Sequence, residues 1–284
     1  MASWTRYLLY GVEIAAIAYL LTCFALALAQ RRFMFVPCKP IVATPTDYGL
    51  EYESIFIPLP PDEKIHGWWI PAQSPDAPVL LYLHGNGGNV SSNLPRVQRF
   101  HRVGFAVFLI DYRGYGLSEG RFPSEKRVYE DAETAWEYLV KERNIDPKEL
   151  YVFGHSLGGA IAIELATRQP EIPGLVIEGS FTSMLDMARY KGRYGWLPID
   201  WLLTQRFNSL EKLPLLNTAI FFLHGTEDAV VPVEMSETLY KATVGRKELW
   251  LVKTAGHNDI ATIADSTYEK RIWQFLLSET SEFY

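Results

Sequence analysis

The chain has 284 residues, of which 48% are hydrophobic and 21% charged, enough for one folded region of about 240 to 250 residues behind an N-terminal segment. Its net charge of −6 at pH 7, with no basic stripe, argues against nucleic acid as a partner. Six scattered histidines and two cysteines give no zinc-site spacing, so neither a metal nor a cofactor is expected.

The N-terminus is the first distinct element. Leu8 to Ala29 is a run of 22 residues interrupted by one charge, Glu13. At about 1.5 Å per residue such a run spans a hydrocarbon core of about 30 Å, which predicts a transmembrane helix. Trp4, Tyr7 and Tyr10 on one flank and Phe33 and Phe35 on the other suit the two interfaces. The competing reading is a cleaved signal peptide, because Ala27-Leu28-Ala29 resembles a cleavage site; it would leave a secreted or periplasmic protein. Against cleavage, Arg31 and Arg32 follow immediately, and the apolar run exceeds the usual length of about 7 to 15 residues. Residues 1–32 are therefore expected to form an anchor and 33–51 a linker. Arg31, Arg32 and Lys39 outweigh Arg6 and the α-amino group, so the positive-inside bias puts the remainder in the cytoplasm. Cys23 falls in the span and Cys38 beyond it, which leaves no intramolecular disulfide for the folded region.

From Tyr52 onward, strand and helix signals alternate. Tyr52 to Leu59 and Lys64 to Ile70, joined through Pro60-Pro61-Asp62, read as an antiparallel hairpin at a sheet edge. Val79 to Leu83, Phe105 to Ile110, Leu150 to Phe153, Leu175 to Ile177, Ala219 to Leu223 and Leu249 to Val252 are short apolar runs of the kind buried parallel strands show. Between them lie amphipathic helices. Val128, Ala132, Ala135, Trp136, Leu139 and Val140 make one apolar stripe, and Tyr268, Ile272, Trp273 and Leu276 another. This order predicts an α/β class, a mostly parallel, doubly wound, eight-stranded sheet with right-handed crossovers.

The chemistry concentrates at strand ends. Gly154-His155-Ser156-Leu157-Gly158 sits between an apolar strand and the small residues that begin a helix, the G-x-S-x-G pattern of a nucleophile elbow. A serine hydroxyl needs a base oriented by a carboxylate, and in this pattern the acid and the histidine follow in that order. Only His224 and His257 lie downstream of Ser156. His224 fits a structural role at a strand end, which leaves His257 as the base. Asp228 stands in the loop after Ala219 to Leu223. It competes with Glu227, since adjacent side chains diverge in a tight turn. Asp259 reads as the cap of the final helix. For an oxyanion the backbone N–H of Leu157 is one candidate donor, and the loop His84-Gly85-Asn86-Gly87-Gly88-Asn89 offers Asn86 as the other. That loop lacks the Lys-Ser/Thr of a phosphate-binding loop.

HGNGGN, DYRGYGLSEG (111–120), GHSLGG, HGTEDAVVP and AGHND occur in that order, and together they resemble an α/β-hydrolase of the serine-aminopeptidase-like or monoacylglycerol-lipase-like kind, nearest to its membrane-anchored members with small lids. The resemblance covers residues 52–284. It implies a triad of Ser156, Asp228 and His257, oxyanion donors at Asn86 and Leu157, and a lid at 182–217 between the sixth and seventh strands. It also implies a serine hydrolase acting on an ester, thioester or amide through an acyl-enzyme, carboxylesterase or lipase-like, with a small-molecule or lipid-like acyl substrate. An acyltransferase, a peptidase, or a binding module on a degenerate fold remain as alternatives. The lid mixes Arg189, Lys191, Arg193 and Arg206 with Trp196 and Trp201. That composition suits an acyl chain with an anionic head, and equally a solvated helix with its aromatics packed downward.

Overall fold

The computed structural model describes residues 2–192 and 194–278, and the description of Lys191 stops at its backbone. Eight strands form one sheet: β1 (Glu53–Leu59), β2 (Glu63–Ile70), β3 (Val79–Leu83), β4 (Ala106–Asp111), β5 (Leu150–His155), β6 (Gly174–Glu178), β7 (Ala219–Gly225) and β8 (Lys247–Val252). Their spatial order is β1-β2-β4-β3-β5-β6-β7-β8. β1 and β2 pair antiparallel in register Ile55 to Gly67, β2 joins β4 antiparallel, and every later pairing is parallel.

The helices are α1 (Ala2–Met34), α2 (Leu94–Arg102), α3 (Glu125–Lys141), α4 (Leu157–Arg168), α5 (Met184–Arg189), α6 (Ile199–Leu202), α7 (Ser209–Lys212), α8 (Val233–Ala242), α9 (Ile260–Ile263) and α10 (Ser266–Leu277). Because side chains alternate across a strand, each central strand feeds two cores. Val79, Leu81 and Leu83 of β3 join α3, α4 and α8 in one cluster, while Leu80 and Tyr82 join α2 and α10 in the other. The stripes at 128–140 and 268–276 are the faces of α3 and α10 that cover the sheet.

The chain passes from β3 outward to β4 and then returns across β3 to β5. The loops after β3 and β5 therefore diverge at the carboxyl edge and leave a crevice between them, the place where open α/β sheets put their sites.

α1 stands largely outside this core. The most apolar 18-residue window within Trp4–Met34 has mean hydropathy 2.2, with 6% of it buried. Its C-terminal half nevertheless meets the segment between β6 and β7. Tyr19 Oη donates to the Trp196 carbonyl at 3.0 Å, and Gln30 Oε1 accepts the Thr204 and Gln205 amides at 2.8 and 3.3 Å. Within residues 33–51, Phe35, Pro45 and Leu50 are buried. Phe35, expected at a membrane interface, is 1% exposed and contacts Phe207 at a ring separation of 6.1 Å, because the chain turns into the core directly after α1.

Phe153 occupies the middle of the second core, 4.7 Å from the Tyr82 ring and 5.1 Å from Phe100. Phe153→Ala is expected to cost about 3–5 kcal/mol, read from urea unfolding of the detergent-solubilised chain. A loss below about 1 kcal/mol would place the ring outside the close-packed core.

Candidate active site

Ser156 links β5 to α4 in a conformation that side chains rarely adopt, φ +54° and ψ −116°. Three hydrogen bonds hold it there. The Ser156 amide donates to the Glu178 carbonyl at 2.8 Å, and its own carbonyl accepts from the Gly159 amide at 3.0 Å and from Ser180 Oγ at 2.8 Å. The flanking glycines make the turn possible: a Cβ on Gly154 would lie 2.3 Å from the Gly158 carbonyl oxygen, and one on Gly158 would lie 2.0 Å from that of Leu83. The serine faces a cavity of about 510 Å³ lined by Asn86, Gly88, Arg96, His155, His257 and Asn258, among others.

His257, in the loop after β8, reaches the serine from the far side of β6 and β7. Its Nε2 lies 3.1 Å from Ser156 Oγ and its Nδ1 2.7 Å from Asp228 Oδ2. An ionised carboxylate only accepts, so the proton between Asp228 and His257 resides on Nδ1, which leaves Nε2 free to accept from the serine hydroxyl. The Asp228 side chain is fully buried. Burial alone would raise its pKa, but hydrogen bonds from His224, His257 and the Val231 amide outweigh that and hold it well below the usual carboxylate range. Its Oδ1 accepts the Val230 and Val231 amides, each at 2.8 Å.

Glu227, beside it, is exposed. His224 touches the acid and not the serine: its Nε2 lies 3.1 Å from Asp228 Oδ2 and 3.0 Å from the Val231 carbonyl, while Nδ1 pairs with Ser236 Oγ at 2.6 Å. Asp259 does not cap the final helix. It precedes α9, and its carboxylate reaches back to the Gly256 amide at 2.6 Å, bracing the turn that carries His257.

The loop after β3 crosses the crevice. His84 Nδ1 lies 2.7 Å from the Gly85 carbonyl and is buried beneath the loop. In a trans peptide the C=O and N–H point in opposite directions, so tying the Gly85 carbonyl to His84 turns the Asn86 N–H away from the interior. The Asn86 carbonyl is held by Tyr115 Oη at 2.7 Å and the Val36 amide at 2.9 Å. Leu157 supplies the first N–H of α4, where the helix dipole favours negative charge.

A second shell of contacts was not legible from local pattern. His155 Nε2 lies 3.1 Å from the His257 carbonyl, and Arg96 Nη2 donates to the Asn258 carbonyl at 3.1 Å. Arg96 also meets the buried Glu178 carboxylate at 3.0 Å, which takes the Tyr268 hydroxyl at 2.5 Å. This network ties the loop of His257 to β6 and to the elbow. Its members come from α2, β5, β6 and α10, so no spacing in the chain signals it; the one local hint is a glutamate ending the apolar run of β6.

Burial first, then the neighbouring Arg96 charge, holds the His155 imidazole well below the usual histidine range. Burial lowers His84 as well, against the pull of Asp111. Both rings are therefore harder to protonate in the folded chain than in the unfolded one, where histidines take up a proton near pH 6.5. Below that pH the unfolded state binds more protons, so stability falls with pH by up to about 1.4 kcal/mol per unit for each ring. The depressed Asp228 acts in a lower window: its contribution is complete above about pH 4 and is lost as pH falls through the folded pKa. Urea midpoints measured from pH 7.5 to 5.5 should therefore decline. His155→Gln should flatten the decline, and an unchanged slope would mean that His155 is protonated in the fold.

A family model described as serine aminopeptidase, S33, matches residues 73–198. The lysophosphatidylserine lipase ABHD12 of Danio rerio is 32% identical over 283 residues, covering 85% of this chain and 72% of that protein. An alpha/beta hydrolase domain-containing protein of Arabidopsis thaliana, WAV2, is 29% identical over 289 residues, covering 94% and 91%. Among solved structures, an esterase of Pyrococcus furiosus superposes with a TM-score of 0.72 at 22% identity, over 86% of this chain and 97% of that one, a likeness of fold. With the sheet order, the elbow and these relatives together, the chain belongs to the α/β-hydrolase superfamily, among its serine hydrolases.

Proposed function

We propose that the chain is a membrane-anchored carboxylesterase or lipase-like enzyme that cleaves an acyl ester through a covalent acyl-enzyme. The observation that carries this reading is the unbroken hydrogen-bonded chain from Ser156 Oγ through His257 to Asp228, at 3.1 and 2.7 Å. His257 Nε2 takes the serine proton as Oγ attacks the acyl carbon. The tetrahedral oxyanion then lies toward the Asn86 and Leu157 N–H groups. His257 returns its proton to the leaving alcohol, and in the second half it activates water to release the acid. Asp228 orients the ring and stabilises the imidazolium without itself taking the proton.

The lipase and esterase among the similar proteins favour an ester over an amide. In the same reading residues 1–32 are the anchor, 33–51 join it to the catalytic domain at 52–284, and 182–217 form the lid. The length and hydropathy of α1 support the anchor. The catalytic domain faces the cytoplasm, in keeping with the excess of arginine and lysine after the span.

Ser156→Ala removes one oxygen from the elbow, so fluorophosphonate labelling and ester turnover should both vanish while the unfolding midpoint holds. Labelling that persists in this variant would sink the assignment. Asp228→Asn should lower kcat by on the order of 10⁴, as an equivalent change does in another triad enzyme, and Glu227→Gln by far less. The reverse order would make Glu227 the acid. Alkaline carbonate should leave the intact protein in the membrane fraction, with detergent needed for release. Mature protein beginning at Gln30 would replace the anchor with a cleaved signal.

A further inference from the structure

A second cavity, of about 530 Å³, opens between the last turns of α1 and the lid. Leu26, Ala27, Phe33 and Met34 form one wall, and Met184, Met187, Leu197 and Leu202 lie among the residues of the other. The polar Gln30 on its border has its amide engaged. Its Oε1 accepts the Thr204 and Gln205 amides, and its Nε2 donates to the Ala27 and Leu202 carbonyls at 2.6 and 3.2 Å. The walls are otherwise nearly all apolar, so ordered water gains little here and an apolar ligand gains much. The volume falls in the range of small-molecule sites.

Three observations say what fills it. The wall is the same helix whose outer face exposes Leu20, Leu21, Phe24 and Leu28 at 61–67%, a surface suited to lipid. The cavity lies at the end of that helix marked by Arg31 and Arg32. There the lid turns Trp201 outward, 90% exposed, as aromatic residues sit at a bilayer interface, while Trp196 lies further along α1 with its ring 6.2 Å from that of Tyr19. Trp201 therefore does not pack downward, Trp196 is covered in part by Tyr19, and Arg193 lies outside the described residues.

Finally, each wall runs directly into a loop beside Ser156. Past Met34 the Val36 and Cys38 amides donate to the Asn86 and Gly88 carbonyls at 2.9 and 3.1 Å. The lid wall descends from Gly179, where a Cβ would stand 3.3 Å from His257 Cε1.

We infer that this cavity holds the acyl chain of a lipid drawn sideways from the bilayer, with the anchor helix serving as half of the binding site. The inference rests on the ester-hydrolase reading and names its substrate class, a membrane-resident long-chain acyl ester.

Ala27→Trp fills the cavity from a helix that tolerates large side chains. Full-length protein reconstituted in phosphatidylcholine vesicles would be assayed on p-nitrophenyl acetate, octanoate and palmitate. The variant should lose roughly tenfold or more in kcat/KM on palmitate and stay within about twofold on acetate, since burial of each methylene adds to binding. Equal losses on all three esters, or none, would overturn the cavity assignment. Turnover of acetate by the unaltered protein, abolished in Ser156→Ala, keeps the hydrolase reading intact whichever way the chain-length test falls.

The second measurement needs no folded variant. A 16-carbon fatty acid bearing a mid-chain diazirine, photolysed in the same vesicles with unaltered protein, should label Met184, Met187 and Leu202. Labels confined to Leu20, Leu21, Phe24 and Leu28 would mean surrounding lipid only. Cavity labels that disappear as the protein-to-lipid ratio rises, together with a cross-linked dimer, would assign the space to a second copy. Either result overturns the inference.

Discussion

The backbone of Ser156 is the constraint around which the remaining structure is arranged. A non-glycine residue at φ +54° and ψ −116° costs on the order of 1–3 kcal/mol, and it persists only where its surroundings overdetermine it. Here the surroundings come from both neighbouring strands. β6 supplies the Glu178 carbonyl and the loop after it Ser180, and β3 passes so close to α4 that only a glycine fits at position 158. Strain at the elbow and close packing of the sheet are thus one arrangement. The same geometry that lifts the hydroxyl toward the crevice sets the start of α4 beneath it, so the Ser156 hydroxyl and the helix dipole converge on one point.

The electrostatics follow a graded pattern away from that point. Asp228 receives two backbone amides and two imidazoles, enough to keep a buried carboxylate ionised. Behind His257 the order is inverted: His155 is neutral and gives its edge to a backbone carbonyl, while the full charges of Arg96 and Glu178 are paired with each other. The paired ions behind fix the loop that carries His257. Removing one partner of such a buried pair leaves the other uncompensated, so the network acts on geometry more than on net potential.

The N-terminal segment is bound into this arrangement at two places. Gln30 fastens the segment between β6 and β7 through the Thr204 and Gln205 amides, and residues 36–38 run beside the loop that presents Asn86. Tyr115 Oη and the Val36 amide share the Asn86 carbonyl, so the orientation of that peptide depends on the chain leaving α1 as well as on the sheet. An apolar helix of this length would suffice as a tether with a flexible join. Burial of Phe35 instead makes the join part of the core.

Local pattern carried the architecture. Two-residue alternation and short apolar runs marked all eight strands, because a buried parallel strand has no polar face to disguise it; the stripes at 128–140 and 268–276 marked the helices that cover them. The order of Ser156, Asp228 and His257 was legible for the same reason: each follows a strand end, and strand ends in a parallel sheet share one edge. What the chain alone could not rank were groups whose partners lie far away in sequence. His224 reads locally as a turn residue, yet it shares Asp228 with His257; Arg96, Glu178 and Tyr268 meet across as many as 172 positions. Phe35 reads as an interfacial aromatic and is buried, and Trp196 and Trp201 read equally as packed or exposed and are exposed. Periodicity records which face of an element is apolar, and this was enough to determine the sheet, its covering helices and which side chains stand at the strand ends. Which distant surface that face meets is set by how the elements assemble, so only the tertiary structure decided the network behind His257 and the contact between α1 and the segment joining β6 to β7.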